Sequence, residues 1–328
     1  MSTYYGTKGQ KVQGIASDPS NLTEGQVWYN TTTNALKVYK SFTDTWSTGG
    51  NLGTARLGLA GAGTQTAGLG FGGGPPNSTA TEEYDGSAWT AGGSLATARR
   101  NLGGAGTQTA GLAFGGLKNP PAPTIANATE EYDGSTWTSG GNLGTARSGL
   151  AGAGTQTAGL GFGGLKAPPA PTTTNATEEY NGTAWTAGGN LTTARYLLGG
   201  AGTQTSGLAF GGFIPPTTNV TEEYDGSTWT AGGNLLEATR RLAGAGTQTA
   251  GLAFGGGTPP GAVSSNTIKY DGTSWTTTGS LNTARQYLAG CGTQTTGLAF
   301  GGGTPTASNA TEEFNAGPYL AAVPVAQS

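Results

Sequence analysis

Short stretches in which small or apolar residues alternate with polar ones run through most of the chain, broken by Gly, Asn and Asp. No stretch carries the apolar spacing of an amphipathic helix, so the pattern predicts strands throughout. One unit shows four of them. "RSGLAGAG" from Arg147 is the first strand and ends in a tight turn at "TQT"; "AGLGFGG" is the second, "ATEEY" the third, and "TWTSGG" around Trp137 the fourth.

Six such units superpose. From Trp46, Trp89, Trp137, Trp185, Trp229 and Trp275 the Gln of "GTQT" always lies 19 residues on, and the Phe of "FGG" 6 further. From Tyr to Trp the spacing is 5, as in Tyr84 to Trp89, while the Phe-to-aromatic segment varies between 13 and 18 residues. Strand pairings have a fixed register, because a one-residue slip turns every side chain to the wrong face. Surface loops tolerate insertion. The constant segments are therefore strands and the variable one is a loop. Between the third and fourth strands stands Asp-Gly or Asn-Gly (Asp85-Gly86, Asn181-Gly182), the signature of a tight hairpin turn. The exchange of Asp for Asn argues for a turn and against a calcium ligand.

Composition agrees with a repeat protein. Of 328 residues 63 are Gly, charged residues make up 10%, and the net charge is −3, which excludes a polyelectrolyte and gives no basic surface for nucleic acid. No apolar run is long enough to cross a membrane as a helix, and the first residues lack the apolar core of a signal peptide. Cys291, the only cysteine, stands where other copies carry Ala (Ala153, Ala245) and reads as a small buried thiol.

Four strands per unit, six times over, predict an all-β, six-bladed β-propeller, with seven blades as the alternative because "GQVWYNTTTNALKVYK" (25–40) reads as an extra hairpin. The Gly-Gly after the second strand, "EEYDGSTW", and an Arg ten residues beyond the Trp resemble the kelch repeat over roughly residues 35–314. The sixth unit ends at "ATEEF" without a Trp, and "TDTWSTGG" near the start carries the missing one, Trp46. The N-terminal strand is thus expected to complete the last blade. A second resemblance covers nearly the whole chain. "ASDPSNLTEGQVWYNTTTNALKVY" (16–39) is similar to segments opening virion and tail-fibre proteins of bacteriophages, and the repeat resembles kelch-type structural proteins of aquatic tailed phages. It implies a virion protein made in the host cytoplasm without a secretion signal. The expected division is residues 1–40 as attachment segment and hairpin, 41–314 as propeller and 315–328 as tail.

Candidate chemistry is sparse. The chain has no His, which removes the commonest general base and metal ligand and the ligands that kelch-like copper oxidases need. The pairs Glu82-Glu83, Glu130-Glu131, Glu178-Glu179, Glu222-Glu223 and Glu312-Glu313 lie in strands, where neighbours point to opposite faces, so they do not form glycosidase pairs. The fifth unit replaces the pair by Ile268-Lys269, which suggests that the first Glu is packed beside Tyr and the second faces solvent. "GAGTQT" lacks the third Gly and helix of a dinucleotide loop and the Lys of a Walker loop. The expectation is a non-enzyme without catalytic residues, cofactor or metal.

Recognition is expected on one face. In an antiparallel blade the loop between strands two and three emerges at the same end as the connection from four to one. The variable Pro-rich loops (Pro120, Pro121, Pro168, Pro169, Phe213, Pro215) therefore share a face with Arg56, Arg99, Arg147, Arg195, Arg240 and Arg285. In the fifth unit Thr239 holds the Arg place and Arg240 is one step late. These residues either meet a host-surface polysaccharide or another virion protein, or each Arg pairs with a strand-three Glu of an adjacent blade and the loops are spacers. Expected partners are virion proteins, copies of the chain itself and host glycan, with no nucleic acid and no membrane insertion. A tail-fibre or appendage component is the leading reading; a capsid decoration or self-assembling filament subunit is the alternative. N-glycosylation sequons such as Asn21, Asn127, Asn175, Asn219 and Asn309 are surface candidates if the source glycosylates.

Overall fold

Every strand of the computed structural model belongs to a small sheet, and no helix occurs among the described residues, which are 4–5, 11–19, 26–40, 44–118, 124–166, 172–317 and 319–323. The chain divides into two units, residues 1–45 with 316–328, and residues 46–315.

In the first unit a five-stranded sheet runs in the order Tyr4–Tyr5, Lys11–Ile15, Val27–Asn30, Ala35–Lys40, Tyr319–Val323. The expected hairpin is its Val27–Asn30/Ala35–Lys40 pair, and Lys11–Ile15 joins it in parallel. The C-terminal residues supply its last strand. Trp28 is buried and donates its indole N–H to Asp18, which also accepts from Asn30 and from Lys37 at 2.7 Å. These donors, Lys37 foremost, hold the Asp18 carboxyl down at about 2.

The second unit contains six four-stranded antiparallel sheets, a propeller-like arrangement. The third sheet is typical, with Ala151–Gly154, Gly159–Phe162, Thr177–Tyr180 and Trp185–Ala187 paired in chain order. In the sixth, Gln286–Gly292, Thr296–Gly303 and Thr311–Asn315 are followed by Thr45–Thr48 from the other end of the chain. Burial follows the sequence pattern. In the third sheet the first strand alternates buried and half-buried residues, and the second strand is buried along its whole length. Phe162 packs under Trp229 of the next sheet with centroids 4.9 Å apart, and burying such an aromatic contributes about 1.5–3 kcal/mol. Cys291 is buried, its thiol pushed up to about 12 by that burial.

Neighbouring sheets meet along their first strands, each beside the next in sequence, and the first strand of the sixth sheet lies beside that of the first. The approach is close enough to require glycine. A Cβ on Gly152 would sit 2.4 Å from the carbonyl oxygen of Gly104 in the preceding sheet. Next to these strands Gly58, Asn101, Gly149, Leu197, Arg241 and Tyr287 all have φ between 52° and 64°, where Leu and Tyr are strained. Their backbones explain it. Asn101 donates to Gly58, Gly149 to Asn101, Leu197 to Gly149, Arg241 to Leu197, Tyr287 to Arg241 and Gly58 back to Tyr287, at 2.7–2.9 Å.

A Gln and a Trp of every unit, and a Tyr of five of them, bond to the neighbouring sheet. Gln156 Nε2 donates to the carbonyls of Gly111 and Tyr132, at 3.1 and 2.6 Å, and the other five "GTQT" glutamines do the same one sheet along. Trp137 donates its indole N–H to Thr81 Oγ1 at 2.9 Å, and Trp46 reaches Thr267 in the same way. Tyr132 donates its hydroxyl to Glu83, Tyr84 to Glu313 at 2.6 Å, and Tyr180, Tyr224 and Tyr270 to Glu131, Glu179 and Glu223. The second Glu of each pair is therefore an inter-sheet acceptor rather than a plain solvent residue. At the remaining interface both members change together: Phe314 stands for Tyr, and Lys269 Nζ lies 5.4 Å from its ring centroid.

Burial, then the adjoining carboxylate, raises the hydroxyls of Tyr84, Tyr132, Tyr180, Tyr224 and Tyr270 from 10.0 to about 12. The fold binds these protons more tightly than the unfolded chain does, so their contribution is complete below pH 10.0 and is lost as pH climbs toward 12. The urea midpoint should be level from about pH 7 to 9 and fall between 10.0 and about 12. Tyr-to-Phe replacements at the five positions should flatten that fall; an equally steep fall in the replaced protein would contradict the assignment.

Candidate partner-binding face

The repeated arginines are built into the interior. Arg56, Arg99, Arg147, Arg195 and Arg285 are all 0–1% exposed. Arg147 Nη1 donates to the carbonyls of Gly163 and Ala176, at 2.9 and 2.7 Å, and Nη2 to Glu178 Oε1 at 2.9 Å. The other oxygen of Glu178 accepts the Gly144 N–H at 2.6 Å. Arg56, Arg99 and Arg285 repeat this pattern with Glu82, Glu130 and Glu312, and Arg195 pairs with Glu222 through Nη1. Burial lowers each guanidinium pKa, and the partner carboxylate opposes that shift. The pairing lies within one repeat unit, since Arg147 precedes the first strand of the sheet whose third strand holds Glu178, and does not run across to an adjacent unit. Buried, and with their terminal Nη groups bonded inside, these arginines do not display their guanidinium groups on the face.

The two carboxylates of each Glu pair consequently serve different partners, Arg within the unit and Tyr of the next, and do not converge on a common point.

The fifth unit loses both members of the ion pair at once, with Thr239 for Arg and Ile268 for the first Glu. Each departure is visible in the sequence; their linkage becomes visible once Arg and Glu are known to touch. Removing a whole buried pair is far cheaper than removing one partner, which strands a charge in the interior. Arg240, one step along, is a different kind of residue. Its guanidinium lies 4.6 Å from the Phe213 ring centroid, and Phe213 packs edge-on against Tyr196 at 5.6 Å.

The roots of several loops pair with the segments that follow the Trp residues. Arg147–Ser148 pairs with Leu165–Lys166 at the root of one loop and Arg99–Arg100 with Leu117–Lys118 at another; Tyr196 bridges Phe213, and Arg240 bridges Gly257. The structure thus brings Phe213 and Arg240 together, with Tyr196 as a third member that the repeat pattern did not single out, and Pro215 is exposed nearby in the chain. Pro120, Pro121, Pro168 and Pro169 lie outside the described residues, as does the sequon at Asn21. At four sequons the amide nitrogen that a glycan would modify is in use: Asn127, Asn175, Asn219 and Asn309 donate it to the carbonyls of Leu143, Leu191, Leu235 and Leu52.

Chemically, the Tyr196–Phe213–Arg240 cluster offers ring faces and a guanidinium on a loop surface, a combination suited to stacking on a sugar ring or anchoring a protein partner. Comparison with models of known protein families finds no match, and comparison with curated proteins finds none either.

Breaking one buried pair tests the interior role. Arg147→Met should cost about 3–5 kcal/mol in chemical unfolding because Glu178 is left charged and buried, whereas Arg147→Met with Glu178→Leu should lose much less. A double variant as unstable as the single one would contradict it.

Proposed function

We propose that the chain is a six-bladed kelch-like propeller, its sixth blade completed by the N-terminal strand, and that it serves as a non-enzymatic structural protein of a phage virion. The leading role is a tail-fibre or appendage component that meets the host surface through the loop face, with the N-terminal segment as the virion attachment. Support for the ring comes from the six sheets, the strand Thr45–Thr48 in the sixth, and the backbone hydrogen bonds that return from Tyr287 to Gly58.

One observation carries the binding role. The polar side chains that recur from unit to unit are spent on bonds within and between sheets, while the Tyr196–Phe213–Arg240 cluster on the loop face belongs to single units. A protein built this way holds a rigid platform and varies only its loops, as recognition requires.

Binding of purified protein to an array of bacterial surface polysaccharides tests this reading. Wild-type protein is expected to bind, and Phe213→Ala with Arg240→Ala to bind at least about tenfold more weakly, the loss typical of a binding hot spot, with an unchanged unfolding midpoint. Self-association without glycan binding would overturn host contact in favour of a decoration or filament subunit.

A further inference from the structure

A cavity of about 420 Å3 lies in the fifth unit, beside Thr239 and Ile268, where the other units hold the Arg–Glu pair. Its walls include Leu235, Leu242 and Phe254, all buried, together with Ile268. Leu236, 59% exposed, also lines it, at the place Gly144 takes in the third unit.

The polar groups at this cavity are arranged to receive hydrogen bonds from a cation. Glu237 lines it and neither Lys nor Arg does. Gly255 and Asn266 line it as well, and they are the counterparts of Gly163 and Ala176, whose carbonyls hold Arg147 Nη1. Ala176 O takes two donors, the Gly163 N–H at 3.0 Å and that guanidinium. Asn266 O takes the Gly255 N–H at 3.0 Å, but Thr239 is too short to supply a second donor and turns its hydroxyl to the carbonyl of Glu237.

We propose that this cavity binds a short alkyl chain ending in a guanidinium or ammonium group. The head sits at the carbonyls of Gly255 and Asn266 within reach of the Glu237 charge, and the chain lies among Leu235, Leu242, Phe254 and Ile268. The volume falls within the range of about 300–1,000 Å3 usual for small-molecule sites. A free alkylamine and an Arg or Lys side chain of another protein share this chemistry.

The probe is n-butylguanidinium, titrated by calorimetry and by methyl NMR of Ile268 and Leu242, with n-pentanol as a neutral analogue. Saturable binding with shifts at both methyl sites is expected, and pentanol should bind at least about tenfold more weakly for want of charge-assisted hydrogen bonds. Thr239→Arg with Ile268→Glu rebuilds the pair of the other units; it should fill the cavity and reduce binding at least about tenfold, in line with loss of the site. Absence of wild-type binding, methyl shifts elsewhere only, equal affinity for pentanol, or undiminished binding by a folded double variant would overturn the proposal. If the double variant does not fold, the methyl shifts and the pentanol comparison decide alone. An acetylated, amidated Ala-Arg-Ala peptide that binds as the free probe does assigns the site to a partner side chain; exclusion of the peptide while the probe binds assigns it to a free small molecule.

Discussion

From the second sheet on, each holds the one before it through donors that point backward along the chain, and the rest of the structure follows from the reach of those donors. The amide of Gln156 must meet Tyr132 O in the preceding sheet, and the two residues are 24 positions apart; the same separation recurs for Gln108, Gln204, Gln248 and Gln294. That distance is the sum of the invariant Tyr-to-Trp and Trp-to-Gln spacings. An insertion anywhere in it would move the glutamine out of register and leave two carbonyls of the neighbouring sheet without a donor, at about 1–3 kcal/mol for each buried group. The segment from Phe to the next aromatic lies outside that 24-residue stretch; the Trp–Thr bonds that do span it join residues 56, 52 or 54 positions apart, so its length is free to vary.

Much of the local structure was legible because strands, hairpins and fixed register leave direct traces in a repeated sequence. Strand positions, the Asp-Gly turns and the N-terminal hairpin could all be read that way. Partnerships across sheets left weaker traces. Trp46 and Thr267 are 221 residues apart, and nothing local to either marks the other. The "GTQT" segment read as a turn, which it is, but the glutamine's task lies in the adjacent sheet. The second Glu read as a solvent residue because its acceptor role depends on a Tyr from the following unit. The arginines could be read as interior or as displayed, and burial with their own unit's Glu decides for the interior.

Two of the places where the repeat departs from itself are the most instructive. Lys269 and Phe314 change together where Glu and Tyr would stand, and Thr239 and Ile268 change together where Arg and Glu would stand. Each pair of departures marks two side chains that touch, one across an interface and one inside a unit. Joint change avoids a stranded charge. At the first site a cation over a ring stands in place of the hydrogen bond; at the second, the space that a guanidinium and a carboxylate fill in the other units is a cavity lined partly by apolar side chains.

The proposed ring requires the backbone bond from Gly58 to Tyr287, which joins the two ends of the repeat, to be as stable as the five like it between successive sheets. Native-state hydrogen exchange of the amides of Gly58, Asn101, Gly149, Leu197, Arg241 and Tyr287 tests it directly, because from the second sheet on each donates to its counterpart in the preceding sheet, and Gly58 donates to Tyr287 of the sixth. A circuit without a seam predicts that all six exchange together, through global unfolding. Markedly faster exchange at Gly58, the amide that spans the junction to Tyr287, would contradict it.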